Sequence, residues 1–273
     1  MMRALRIVTV LVFLMTSVLF GMFYVKEQGS KDYTYPTIQI ESESLDISIH
    51  DTADRLMQGV TAYDKKDGDL TYKVIIESVS KFTKDNTCIV TYAVMDSDKH
   101  VVKNSRTIRY TDYAAPTFYL KRPMIFAVDE QVDIHKIVGA VDCIEGDISE
   151  KVTILATDYV GNTAGVFSIS LQATNSLGDI IYLDLPIYVE EKNSYAPVIE
   201  LNTYLVYLDI GEYPAFEKYV TSVTTNSVQM DSYNMLISSN VDSNTPGTYT
   251  VHFHVEDASG RVGHSVLTVI VGR

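Results

Sequence analysis

Two acidic stretches stand out as residues that could do chemistry. Asp64, Asp67 and Asp69 fall within DKKDGD, and Asp142, Glu145 and Asp147 fall within DCIEGD at identical spacing. Carboxylates this close can supply the hard oxygen ligands that Ca²⁺ takes. The competing reading, which the sequence favours, is a turn: Gly68 and Gly146 accept a positive dihedral and the Asp side chains bond nearby amides. A second group is His252, His254 and His264. His252 and His254 alternate out of phase with Val251 and Phe253, and the hairpin register given below places His264 across from His254. Three imidazoles on one exposed sheet face are competent to bind a transition metal. No acidic or Cys partner stands at ligand spacing beside them, so a cross-strand pairing without metal is preferred. No metal or cofactor is assigned to either group.

Catalytic signatures are missing. The sequence holds no Gly-x-Ser-x-Gly elbow, no Cys/His arrangement, no His-Glu-x-x-His and no phosphate-cradling Gly loop. No catalytic residue is named and the expectation is a protein that is not an enzyme. The 19 tyrosines, with Tyr182 and Tyr188 on the outward face of a strand, suit either a recognition surface or ordinary half-exposed strands.

The elements that carry these residues are β-hairpins. Tyr249, Val251, Phe253 and Val255 alternate up to Asp257, and a second alternating run leads from Val262 to Val271. A three-residue loop, Ala258 to Gly260, puts Gly260 at the left-handed position. That register pairs Tyr249 with Val269, Val251 with Leu267 and Phe253 with Ser265. The layout recurs upstream, pairing Phe167 with Ile187, Ile169 with Leu185 and Leu171 with Leu183 around a turn containing Gly178. It recurs again from Cys88, Val90, Tyr92 and Val94 to Ile108 and Tyr110. There Lys99 stands where the other copies have Gly, so the first turn is expected to be strained or shaped differently.

The copies also begin alike: Pro36, Pro116 and Pro197 open similar short strands 80 and 81 residues apart. Three repeats of about 80 residues follow. The third has lost the acidic signature, with Thr224 to Gln229 in its place. The expected fold is all-β: three tandem immunoglobulin-like antiparallel β-sandwiches of roughly seven strands each, after an N-terminal transmembrane helix. The expected organisation is a cytoplasmic stretch 1–6, a transmembrane signal anchor 7–25, a tether 26–34, and Ig-like domains 35–112, 113–192 and 193–273. Pro116 and Pro197 stiffen the joins. Pro186 should turn the missing-amide side of its strand to solvent or bend the strand.

Ile7 through Val25 carries no charge for 19 residues, long enough to cross a bilayer and longer than a usual signal-peptide core. With Arg3 and Arg6 before it, an uncleaved anchor with its N-terminus in the cytoplasm is favoured over cleavage and secretion. A formal net charge of −13 argues against nucleic acid, which needs a basic surface. Cys88 and Cys143 lie in different repeats, so a bridge between them is not expected.

The run Pro-x-Ile-x-Leu, the acidic Gly-Asp loop, and Gly-x-Tyr-x-Val-x-Phe-x-Val before an Asp-x-x-Gly turn resemble the bacterial immunoglobulin-like repeats of cell-surface proteins. Related modules also occur in a pesticidal crystal toxin. The resemblance covers about residues 35–273 and implies a non-catalytic extracellular module. The expected function is a binding or adhesion module at the bacterial cell surface, with a protein or glycan of the envelope as partner. The alternative is a structural spacer or accessory subunit of an envelope complex. A binder should expose an apolar or aromatic patch on the third repeat, and a spacer should be polar there.

Overall fold

The computed structural model describes residues 2–30, 33–191, 193–230 and 233–272. The chain divides into two compact units, Met1–Thr111 and Asp112–Arg273. The first begins with helix α1 (Met2–Ser30), within which Val8–Lys26 is long and apolar enough to cross a membrane by length and composition.

Seven strands follow in the first unit: β1 (Thr37–Ile40), β2 (Ser44–Ile47), β3 (Val60–Asp64), β4 (Gly68–Asp69), β5 (Ile75–Val79), β6 (Thr87–Met95) and β7 (Val101–Tyr110). The short helix α2 (Ala53–Met57) joins β2 to β3. The strands form a three-stranded sheet, β1-β3-β4, and a four-stranded sheet, β2-β7-β6-β5. Ile38, Val60, Leu70, Val74, Cys88, Val90, Tyr92 and Ile108 are buried, as alternation on β6 and β7 demands.

The second unit repeats this plan twice. Strands β8 (Thr117–Leu120), β9 (Ile125–Ala127), β10 (Val138–Asp142), β11 (Gly146–Asp147), β12 (Thr153–Thr157), β13 (Gly165–Thr174) and β14 (Ile180–Glu190) make one pair of sheets. Strands β15 (Val198–Leu201), β16 (Leu205–Leu208), β17 (Val220–Thr225), β18 (Val228–Gln229), β19 (Met235–Ser239), β20 (Gly247–Glu256) and β21 (Val262–Val271) make the other. Each pair encloses its own apolar cluster, except that Leu205 of the third repeat lies in the cluster of the second. Tyr204 packs against both, and Tyr207 Oη accepts from the Phe118 amide at 2.9 Å.

The hairpin registers read from alternation are those observed. Tyr249 faces Val269 and Val251 faces Leu267, while Phe167 faces Ile187 and Leu171 faces Leu183. The sandwiches are not wholly antiparallel, however. β2 runs parallel to β7, β9 to β14 and β16 to β21. The opening strand of each repeat starts in the small sheet, then crosses to the large one beside the last strand. First and last strands therefore run the same way, so the chain enters each sandwich at one end and leaves at the other.

Lys99 does not reshape its turn. It takes φ 70°, close to Gly178 at 84° and Gly260 at 77°. All three turns close with the same amide bond, from Lys99 to Asp96, Gly178 to Asn175 and Gly260 to Asp257. Pro186 sits in an unbroken β14 opposite Ser168, and β9 pairs only from Tyr188 onward. Its missing amide therefore faces an unpaired stretch, as strand position requires.

Candidate binding surface

The acidic stretches fold as turns whose carboxylates bond to the protein's own amides and hydroxyls, with Asp64 Oδ1 buried and unpartnered. Asp64 is buried, and its Oδ2 accepts from the amides of Lys66 at 2.7 Å and Asp67 at 3.0 Å. Asp142 likewise accepts from the amides of Ile144 and Glu145, both at 2.9 Å, and its other oxygen accepts from Asn175 Nδ2 at 3.0 Å. Gly68 and Gly146 supply the positive φ, 76° and 74°. Hydrogen bonds from Thr71 hold the Asp69 carboxyl below its usual range, and those from Ser149 do the same for Asp147. Among the described residues, no three His, Cys, Asp or Glu side chains are placed to hold a metal ion.

These loops also act as clamps. Asp67 accepts from the Ser97 amide at 2.6 Å and from Ser97 Oγ at 2.8 Å, and Glu145 accepts from the amide and Oγ of Ser176. In each case the loop of the small sheet grips the hairpin tip of the large sheet. Behind the clamp, buried Leu70 and Val74 close the first core, and buried Ile148 and Val152 close the second.

The third repeat lacks this closure. Its loop is a two-residue turn, Asn226 and Ser227 with φ 51° and 64°, between paired Thr225 and Val228. The tip position of Ser97 and Ser176 is Ala258, which has no hydroxyl to grip. Met230 makes the same backbone bond, to Val223, that Leu70 makes to Ala62 and Ile148 to Ala140. By this equivalence the buried plug residues of the other repeats become Met230 and Met235, both partly exposed. They line a groove of ≈ 900 Å³ with Tyr233, Leu236, Ala258 and Val262, and with His254 and Glu256 at its polar side. Leu236 is 66% exposed and Val262 48%. Methionines are unbranched and adaptable, and a Tyr adds an apolar body with a polar tip, a lining suited to varied apolar ligands.

Next to the groove the imidazoles stand where the register placed them. His254 lies opposite His264, and their rings stack at 4.4 Å and 7°. They are not on an open face. Glu190, at the end of the second repeat, accepts from His264 Nδ1 at 2.6 Å, and Tyr188 packs edge-on against His252 at 4.9 Å. The acidic partner that sequence spacing did not supply therefore comes from the neighbouring sandwich. An ionised Glu190 only accepts, so with the imidazoles neutral one chain of donors follows. His264 Nδ1–H donates to Glu190, His252 Nδ1–H donates to His264 Nε2 at 2.9 Å, and Thr250 Oγ–H donates to His252 Nε2 at 3.2 Å. The ring nitrogens of His252 and His264 bond to one another and to the protein, and stacked rings direct their lone pairs side by side. The arrangement is a polar seam between two sandwiches, not a converging ligand set.

Tyr188, read as outward, is thus covered within the second unit, whereas Tyr182 is exposed. Cys88 is buried and free, with burial pushing its thiol up, and Cys143 is exposed and free. The sequence reading missed Glu190 and the groove. The one signal available for the groove was the lost acidic stretch at Thr224 to Gln229.

No family model matches the chain. It is 25% identical over 248 residues to the pesticidal crystal protein Cry22Aa of Bacillus thuringiensis, an overlap covering 88% of this chain and 33% of that protein. It is 28% identical over 136 residues to an uncharacterized 81.3 kDa protein of Acholeplasma phage L2, covering 48% of this chain and 18% of that protein. The chain thus spans a third or less of these curated relatives. Among solved structures, the CBM51-2 and INT domains of ZmpB from Clostridium perfringens, in complex with GlcNAc, match 86% of this chain and 41% of that one, at 17% identity and TM-score 0.24. The EC1-4 region of Drosophila N-cadherin matches 78% and 63%, at 16% identity and TM-score 0.23. A lipoprotein from Bacteroides thetaiotaomicron matches 86% and 99%, at 13% identity and TM-score 0.22.

Proposed function

We propose that the chain is a membrane-anchored, extracytoplasmic array of bacterial immunoglobulin-like repeats whose third repeat is a non-catalytic binding tip for a protein or glycan of the cell envelope. The observation that carries this reading is the groove. Where the first two repeats close their cores behind a carboxylate–serine clamp, the third leaves Met230 and Met235 only partly buried, beside exposed Tyr233 and Leu236. Large apolar side chains gathered in a surface depression mark interaction sites, whereas a spacer has no use for them. The anchoring part rests on the apolar stretch Val8–Lys26 and the basic residues before it.

The test is capture of envelope components from intact cells by the full chain, in parallel with a Val262→Lys variant. Val262 is half-exposed, so the change charges the groove without entering the core. The expected result is specific enrichment by the parent chain that the variant loses. Equal enrichment by both would remove the groove as the binding surface. No enrichment by either would favour the spacer reading.

A further inference from the structure

We infer that the outer edge of β19 accepts an extended strand of a partner protein, one that alternates apolar side chains and carries basic residues. This names the partner class for the binding surface proposed above and rests on that reading.

In each repeat the strand at this position, β5, β12 or β19, is the edge of the four-stranded sheet. Exposed edges are templates for pairing, and proteins defend them with bulges and charges. The register of β5 shifts between Ile76 and Ser78, and Glu77 pairs with Lys103. The register of β12 shifts between Ile154 and Ala156. β19 has neither defence: it pairs without a break from Met235 opposite Val255 to Ser239 opposite Val251, and its sequence MLISS has no charge and no proline.

The backbone groups of β19 point alternately toward β20 and away from it. Asn240 donates its amide to Thr250 O, which fixes which residues bond across to β20. Hydrogen-bonded and non-bonded pairs alternate in an antiparallel ladder. Leu236 and Ser238 therefore point their N–H and C=O at β20, while Met235, Ile237 and Ser239 point theirs at the open edge. Among the described residues no strand pairs with that edge.

Two depressions lie along this edge. One is the ≈ 900 Å³ groove beside Met235 and Leu236, and the other is a depression of ≈ 530 Å³ lined by Tyr213, Pro214, Phe216 and Ile237. An added strand takes its affinity from main-chain bonds and its specificity from pockets for alternate side chains. Charge chooses the occupant: Glu256 lines one depression and Glu217 the other, and among the described residues neither lining holds Lys or Arg. A net charge of −13 opposes a second copy of this chain and favours a basic strand.

The test pans a phage-displayed library of random peptides of about ten residues, the length of a long strand, on the full chain in lipid nanodiscs, with empty discs as counter-selection. Enriched peptides are expected to alternate apolar residues, carry Lys or Arg and lack a central proline. In synthetic versions, N-methylation of one backbone amide should weaken binding about tenfold while N-methylation of the next should not, because only alternate amides face β19. Leu236→Lys should weaken them about tenfold by repulsion and lost contact, with an unchanged melting midpoint because Leu236 is exposed. Equal tolerance of N-methylation at adjacent positions, acid-rich selected peptides, or full binding by Leu236→Lys would overturn the proposal. So would a dimer in sedimentation that Leu236→Lys abolishes, since the occupant would then be a second copy. Envelope capture lost in Val262→Lys, with no peptide selected, would sink strand addition and leave the binding function standing; failure of capture by the parent chain would sink that function itself.

Discussion

His264 donates from Nδ1 to Glu190 Oε1 over 2.6 Å, so a histidine of the third repeat and a carboxylate of the second share the seam between two sandwiches. Tyr188 and Thr250 complete the groups around it. Burial first, then the charge that His264 and His254 would carry, holds His252 below the usual imidazole value. Burial and His264 do the same for His254. In the unfolded chain these imidazoles take up protons near pH 6.5, and in the folded chain only at lower pH. Acid therefore favours unfolding through both groups, so the stability they leave intact above that pH falls as pH drops below it. The melting midpoint of the second unit should decline between about pH 7.5 and 5.5, and the decline should flatten in a His252→Gln, His254→Gln double variant. An identical slope in the variant would show that the stack does not govern it.

The hairpins, their registers and the position of His264 opposite His254 were legible because a period of two leaves one register that buries every apolar residue. The parallel strands were not, because β2, β9 and β16 are only three or four residues long and weakly alternating. Glu190 lies 74 residues from His264, and only the packing of one sandwich on the next brings them together. The groove was half legible. The missing acids could be seen, but their meaning depended on Ser97 and Ser176 receiving the clamp and on Ala258 being unable to.

Arg106 shows a second way that alternation misleads. It occupies the inward position that Leu185 and Leu267 hold in the other repeats, and it is buried. Its guanidinium donates to Leu56 O at 2.5 Å, to Gln58 O at 2.9 Å and to Tyr92 Oη at 2.9 Å, holding the carbonyls at the end of α2. Arg106→Leu fits the pattern of the other cores but strips partners from buried carbonyls. It should destabilise the first unit by about 2–4 kcal/mol in urea melts. Arg106→Lys should not rescue it, because an ammonium cannot span the same fork. A neutral Arg106→Leu would mean that those carbonyls find water at no cost.

Lys99 carries a left-handed backbone in a turn that glycine fills twice elsewhere. A side chain costs about 1–2 kcal/mol in that region, and glycine returns part of the gain as entropy of the unfolded chain. Lys99→Gly should therefore stabilise the first unit by about 0.5–1 kcal/mol. Gly178→Lys should destabilise the second unit by a similar amount. Opposite signs in the two melts test the shared geometry; a destabilising Lys99→Gly would show that the Lys side chain contributes more than its backbone costs.

Gly263 meets the join between the second and third repeats. A Cβ there would lie 1.9 Å from Pro197 O and 2.7 Å from its carbonyl carbon, and both are backbone atoms with no rotamer to yield. Gly263 also pairs with Val255 across the central hairpin, so β21 cannot move aside without breaking the ladder. Gly263→Ala should cost about 2–4 kcal/mol and raise amide exchange along Val198–Leu201, the strand that Pro197 introduces. Gly260→Ala separates this clash from ordinary turn strain: its φ of 77° disfavours a side chain, but the nearest atom to its added Cβ is 3.6 Å away. That variant should cost about 1 kcal/mol with unchanged exchange at the join. Equal costs and equal exchange in the two variants would mean that β21 shifts freely past Pro197, and that the join is looser than the close approach of these backbones implies.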